Sequence, residues 1–488
     1  MSERELDRLA AACLQPSFPG HKVPAWVERW LERGLGGITL FAYNVRDREQ
    51  LAELTAALRE RQPELLVSID EEGGDVTRLE ADRGSSYPGN LALGAIDDVE
   101  LTGQVASAIG ADLARVGVNL NLAPVADVNS NPRNPVIGVR SFGSEPGLVA
   151  RHVAAFVRGL QQQGIAACAK HFPGHGDTSA DSHLELPVVG GELGPALEPF
   201  RAAVEAGAQA VMTGHLLVPA LDDVPATVSR RLLSDLLRDE LGFDGLVLTD
   251  ALEMRAISAG IGVEEGGVSA LVAGADALCL GHDLHEEAVE AVHAAILAAV
   301  RDGRLSPGRL SDAAARVTRV ARWASPTSSG AAPREVGADA ARRALRVRDA
   351  PVLEGAPLVL ELLPGANVAA GELAYGFTGL WPGAVGVRLH ERPTDALDVL
   401  GPEQGRPVVV VARDLARHEW QRATVADVRA VRADAVVIET GLPDGTAAID
   451  TYGAARVNLQ AAVDRLRADA QAPANVSVSV RSSGASPG

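Results

Sequence analysis

Seven short apolar segments recur along the first 281 residues, and the gaps between them leave room for helices. They are GGITLF (36–41), LLVSID (65–70), VNLNLAP (118–124), ACAKHF (167–172), AQAVMTGH (208–215), GLVLTD (245–250) and ALCLG (277–281). Runs of this length and composition read as buried parallel strands. Helical patterns occupy 98–116, 147–163, 194–206 and 229–241. Strand and helix in alternation build a parallel sheet covered by helices. Seven or eight such units suit a closed (β/α)8 TIM-like barrel. A doubly wound open sheet is the alternative, but no G-x-G-x-x-G turn follows the first strand.

The alternation breaks at ASPTSSGAAPREVG (324–337), which has the composition of a linker. A helical segment, ADAARRALRV, follows. New strands are then expected at 357–363, 406–412 and 433–439, with a last helix near 453–467. The expected organisation is α/β throughout. A barrel spans 1–325, a linker 326–345, and a smaller α/β sandwich C-terminal domain 346–470. The tail 471–488 reads as disordered, apart from one candidate edge strand.

Charge and cysteine content narrow the function. The 64 acidic residues outnumber the 45 basic ones, for a net charge of −19. Such a chain has no cation excess with which to release counterions, which argues against nucleic acid as the main partner. Three dispersed cysteines, Cys13, Cys168 and Cys279, form neither a disulfide framework nor a metal knuckle and suit a reducing compartment. The N-terminus MSERELDRLAAACLQPSF lacks the apolar core of a signal peptide, and no apolar run is long enough to span a bilayer. The expectation is a cytoplasmic protein without a membrane partner.

Polar residues gather where the strands end. Asp70 ends LLVSID, Lys170 and His171 end the fourth segment, His215 ends AVMTGH and Asp250 ends GLVLTD. That end of a parallel barrel carries its active site. The segment KHFPGHGDTSADSH (170–183) holds three of the chain's 11 histidines and one of its two lysines; the other is Lys22. Lysine is a compact three-donor point charge and arginine a planar fork. A lysine at a buried strand end, in a chain that otherwise uses arginine, suits donation to adjacent hydroxyls of a small polar ligand. Asp181 and His183 are two residues apart, so in extended chain they share a side and can form an acid/base pair. A capped surface loop would look the same. A metal site built from His171, His175, Asp177, Asp181 and His183 is a weaker reading, because no H-x-H or helical H-x-x-x-H pair is present. Asp250 suits a nucleophile, a ligand hook or a helix cap equally.

The motifs IDEEGGDVTRL, APVADVN, IGVRSFG, KHFPGHGDTSADSH, VMTGH and LVLTDALEM occur in that order. Together they resemble glycoside hydrolase family 3, and within it the N-acetyl-β-glucosaminidase branch, over roughly residues 5–325. The resemblance implies a retaining double displacement through a covalent glycosyl-aspartate. Asp250 would be the nucleophile, and His183, oriented by Asp181, the acid/base. Asp70, Arg78, Arg140, Lys170 and His171 would bind the sugar. His175 would shape the PGHG turn, and Met212 and Met254 would pack in the core. Asp75 stands where relatives often carry a basic or neutral residue.

The implied enzyme is an exo-acting β-N-acetylhexosaminidase on cell-wall-derived glycosides, in peptidoglycan recycling, with no cofactor or metal. A phosphorylase releasing the sugar 1-phosphate and a non-catalytic sugar-binding protein remain the alternatives. The second region could complete the site, form a homodimer or support the barrel.

Overall fold

The computed structural model describes residues 1–282, 285–326, 335–365, 371, 375–395, 399–403 and 405–467. Part of the expected linker, 327–334, and the expected disordered tail lie outside the described residues.

Six strands form one parallel sheet in chain order: β2 (Gly37–Leu40), β3 (Leu66–Ile69), β4 (Leu120–Asn121), β5 (Ala166–Phe172), β6 (Ala210–Thr213) and β7 (Leu246–Leu248). The strand preceding them, β1 (Leu14–Gln15), pairs in parallel with the strand following them, β8 (Leu278–Cys279). Backbone contacts tie this pair to both edges of the sheet. Thr39 N–H donates to the Pro16 carbonyl at 2.9 Å, and Leu248 bridges Ala277 in parallel. β1 is the strand the seven-segment pattern lacks. It is two residues long, directly follows the helix Glu3–Ala12 and contains no β-branched residue, so no periodicity announces it.

Alternate strand residues divide between two apolar clusters, as a pleated sheet buried on both faces requires. Leu66, Leu120, Ala166, Cys168, Ala210, Met212, Leu246 and Leu248 meet one another. The helix Pro307–Trp323 adds Val317 and Val320 to that cluster. Ile38, Val67, Ile69, Ala167, Ala169, Val211 and Val247 face the covering helices. Those include Val99–Arg115, Pro146–Gln161 and Leu193–Glu205, close to the expected spans.

The second sheet has the order β11-β10-β12-β13-β14-β9, with β9 (Arg346–Val347), β10 (Leu358–Leu362), β11 (Val385–Leu389), β12 (Val408–Ala412), β13 (Val436–Glu439) and β14 (Ile449–Asp450). β9 alone runs antiparallel. One apolar cluster joins Val359, Val409 and Ile438 to Leu459 and Val463 of the helix Arg456–Leu466. The other joins Leu358, Val410 and Val437 to Val425 and Val428 of the helix Glu419–Val431, so helices cover both faces. The helix Glu335–Ala344 lies between the two units: Arg343 pairs with Asp98 at 2.7 Å and Ala340 joins the first unit's apolar cluster, while Ala341 packs with Ala455, Val457 and Ala461 of the second.

Candidate active site

The carboxyl ends of the strands surround a cavity of about 160 Å³. Asp70, Arg78, Arg140, Lys170, His171, His183 and Asp250 all line it. Asp181 stands directly behind His183.

Local structure explains the placement of each group. The segment after β3 turns back on itself because Glu71 Oε2 accepts the N–H groups of Arg78 and Leu79 at 2.9 and 3.0 Å. The side chain of Asn121, on β4, clamps the Glu71 backbone: its Oδ1 accepts the N–H and its Nδ2 donates to the carbonyl. Asp70 and Arg78 are thereby held at the cavity wall. Asn134 Oδ1 accepts the N–H groups of Val136 and Ile137, and this turn delivers Arg140. The PGHG turn passes so close to the neighbouring loop that a Cβ on Gly176 would lie 1.8 Å from the Val128 carbonyl. Only glycine fits there.

Lys170 Nζ donates to Asp70 Oδ1 at 2.6 Å and lies 2.8 Å from Glu72 Oε1. Arg140 grips Glu72 through Nε at 3.0 Å and Nη2 at 2.8 Å. Arg78 lies 3.6 Å from Asp70. Burial opposes the charges on Asp70, Glu72, Lys170 and Arg140, but their opposite charges prevail. Asp70 and Glu72 are held below the usual carboxylate range, while Lys170 and Arg140 are raised. Two carboxylates take two of the three lysine donors and leave one for a ligand. Glu72 and Asp127 are not visible as site residues in sequence, because they act on other side chains. Asp127 Oδ2 engages His171 Nδ1 at 2.8 Å, and its Oδ1 accepts the His175 N–H at 2.6 Å.

On the facing loop, Asp181 Oδ1 accepts both the backbone N–H of His183 at 2.9 Å and its ring Nδ1–H at 2.7 Å. This assigns the Nδ1 proton from the hydrogen-bond network and leaves Nε2 for a reacting group. Burial raises the Asp181 carboxyl, but the His183 bonds outweigh it and hold the group below its ordinary value. His175 supports the loop rather than entering the acid/base pair. Its Nδ1 meets Thr178 Oγ1 at 2.7 Å and its Nε2 meets Ser182 Oγ at 3.2 Å. Burial pushes His175 down to about 4, so it is neutral at pH 7.

Asp250 follows β7 and accepts the Ala251 N–H at 2.8 Å. Burial works against its charge, yet His171, His215 and His183 together lower its pKa, so a carboxylate faces the cavity at neutral pH. His215 bonds Thr227 Oγ1 at 2.7 Å and the Ala251 carbonyl at 3.0 Å, and burial lowers its pKa. It fixes the backbone beside Asp250. The five residues of the metal reading have separate engagements: His171 with Asp127, His175 with Thr178 and Ser182, Asp177 with the Gly191 N–H, and Asp181 with His183. Met212 and Met254 are buried and also touch the cavity.

Residues 14–320 match the glycosyl hydrolase family 3 N-terminal domain. The chain is 36% identical over 317 residues to beta-hexosaminidase A of Pseudoalteromonas piscicida, a match that covers 59% of this chain and 53% of that protein. It is 35% identical over 314 residues to the beta-hexosaminidase of Stenotrophomonas maltophilia (strain K279a), covering 60% of this chain and 93% of the relative. Among solved structures, it is similar to a glycoside hydrolase family 3 beta-N-acetylglucosaminidase from Paenibacillus sp. str. FPU-7, with TM-score 0.85 and 34% identity over 94% of this chain and 96% of the other. With more than half its length matched to the family's N-terminal domain, the chain belongs to glycosyl hydrolase family 3.

Proposed function

We propose that the chain is a retaining, exo-acting β-N-acetylglucosaminidase that removes terminal N-acetylglucosamine from cell-wall-derived glycosides. The observation that carries this reading is the pairing of two groups in one cavity: the Asp250 carboxylate, and a histidine whose Nδ1 is fixed by Asp181 at 2.7 Å. The names of the similar proteins agree with it.

The chemistry follows from the protonation states. Asp250 attacks the anomeric carbon as the bond to the leaving oxygen breaks. His183 enters this step as imidazolium, with one proton shared with Asp181 and one on Nε2. The Nε2 proton passes to the leaving oxygen. Neutral His183 then takes a proton from water as the resulting hydroxide attacks the glycosyl ester and releases Asp250. Asp70 accepts from sugar hydroxyls, and Lys170, His171, Arg78 and Arg140 donate.

When the acceptor enters, Asp250 is the glycosyl ester, and among the described lining residues three carboxylates (Asp70, Glu72, Glu253) balance three fixed cations (Arg78, Arg140, Lys170). An incoming phosphate would meet no net positive charge, which favours water as acceptor. The strand ring is read as a (β/α)8 barrel over 1–325, joined by 326–345 to an α/β sandwich over 346–470. The peptidoglycan-recycling role and cytoplasmic location belong to the same proposal. Among the described residues, no helix is long and apolar enough to cross a membrane.

The test is turnover of an aryl β-N-acetylglucosaminide with and without inorganic phosphate. Free N-acetylglucosamine in both reactions supports the proposal. N-acetylglucosamine 1-phosphate would make the protein a phosphorylase, and no turnover by folded protein would favour a binding role.

A further inference from the structure

The loop after β12 reaches into the first unit at two points. Arg413 lies 2.6 Å from Asp75 Oδ2, and Asp75 Oδ1 accepts the Ala454 N–H at 2.8 Å. Asp75 is buried and sits midway along the turn that carries Asp70, Glu72 and Arg78. Four residues on, Arg417 Nη1 donates to the Asn134 carbonyl at 3.2 Å. Asn134 is fully buried and organises the turn that delivers Arg140. Its Nδ2 also donates to the carbonyls of His175 and Thr178, at 2.8 and 3.0 Å.

The arginine loop is itself built to hold position. Glu439, at the end of β13, accepts the N–H groups of Asp414 and Leu415 at 2.8 and 2.9 Å, and Asp414 Oδ1 accepts the Leu442 N–H at 2.8 Å. A charged pair at a buried contact costs desolvation and adds little stability over an apolar contact. Asp75 and Arg413 therefore need an explanation other than adhesion, and their position against the sugar-side turn supplies one.

We propose that Arg413 and Arg417 are positioning residues for sugar recognition: the second unit sets the geometry of the two turns that carry Asp70, Arg78 and Arg140. This rests on the glycosidase reading of the cavity. It also gives Asp75 a role at a position where the resemblance implied a basic or neutral residue.

The experiment compares the full-length parent, Arg413→Lys, and the double variant Asp75→Asn/Arg413→Met, which leaves no unpaired buried charge. For the double variant, KM for an aryl β-N-acetylglucosaminide and Ki for free N-acetylglucosamine should both rise about tenfold, below the ~10²-fold that a full ångström of misplacement can cost. Its dependence on leaving-group acidity should stay that of the parent, and Arg413→Lys should retain parental KM. Hydrogen exchange should quicken in the peptide covering 70–79, and Arg417→Met should quicken it in the peptide covering 129–140. Parental KM and Ki in the folded double variant would overturn the proposal. If the parent itself turns over no such substrate, the glycosidase reading fails, and exchange then decides: unchanged protection at 70–79 overturns the bracing role as well.

Discussion

The Asp181–His183 pair makes a prediction whose size can be worked from the contacts. Asp181 Oδ1 receives two N–H bonds from His183, and the two side chains are 13% and 29% exposed. Asp181→Ala removes the carboxylate that holds His183 Nδ1 at 2.7 Å. A hydrogen bond to a charged group contributes about 1.5–3 kcal/mol net, against ~0.5–1.5 for a neutral one. At about 1.36 kcal/mol per decade, Asp181→Ala should lower kcat/KM for poor leaving groups about 10- to 150-fold. Asp181→Asn keeps an acceptor of the same shape and loses only the charge, so its cost is about 1–1.5 kcal/mol, or ~5- to 13-fold. The assay is a series of aryl β-N-acetylglucosaminides whose phenols span a wide range of acidity, with chitobiose as the unactivated limit. Losses should shrink toward the most acidic phenols, which need little protonation, and His183→Ala should follow the same trend more steeply. Equal losses across the series would refute the reasoning, because they would place Asp181 in binding or folding rather than proton transfer.

Asp250→Ala should lower turnover at least ~10³-fold, and added azide should then yield the α-glycosyl azide, because the small anion occupies the vacated face. A β-azide, or undiminished turnover, would exclude Asp250 as nucleophile. Lys170→Met removes the cation shared by Asp70 and Glu72, but Arg140 still grips Glu72 and Arg78 lies 3.6 Å from Asp70, so the loss in a denaturant melt should stay below the ~3–5 kcal/mol of an uncompensated buried charge. Lys170→Arg should also lose affinity, because a planar fork cannot reproduce a point charge seated at 2.6 and 2.8 Å from two carboxylates; a fully active Arg variant would contradict that. Burial pushes the Glu439 carboxyl from an ordinary 4.5 to about 8, against the lowering effect of its backbone donors. The folded form then keeps a proton that the unfolded chain has released, so this group's contribution to stability falls as pH rises from 4.5 to about 8. Glu439→Gln should flatten that part of the Tm–pH curve, and an unchanged slope would refute the assignment.

Much of this site is legible in the sequence because strand ends are easy to find. Asp70, Lys170, His171 and Asp250 each close a β-rich run, and a parallel sheet brings such ends together. The partners that tune them are less legible. Glu72 and Asp127 sit in loops, and their role exists only through Lys170, Arg140 and His171. Among strands, β1 escapes because two residues carry no period. β11 escapes because its residues alternate between intermediate and exposed, as on a sheet edge, so it has no buried run. Contacts such as Asp75 with Arg413, 338 positions apart in the chain (413 − 75), follow from docking, to which no local pattern points.

The most direct test of the central claim is to trap the covalent intermediate. The protein is treated with 5-fluoro-N-acetyl-β-glucosaminyl fluoride, which forms the glycosyl ester readily and hydrolyses it slowly. The intact mass and the labelled peptide are then read by mass spectrometry. One added sugar per chain is expected, located on Asp250 within LVLTDALEM. A label on another residue, or substrate turnover without any covalent adduct, would contradict it.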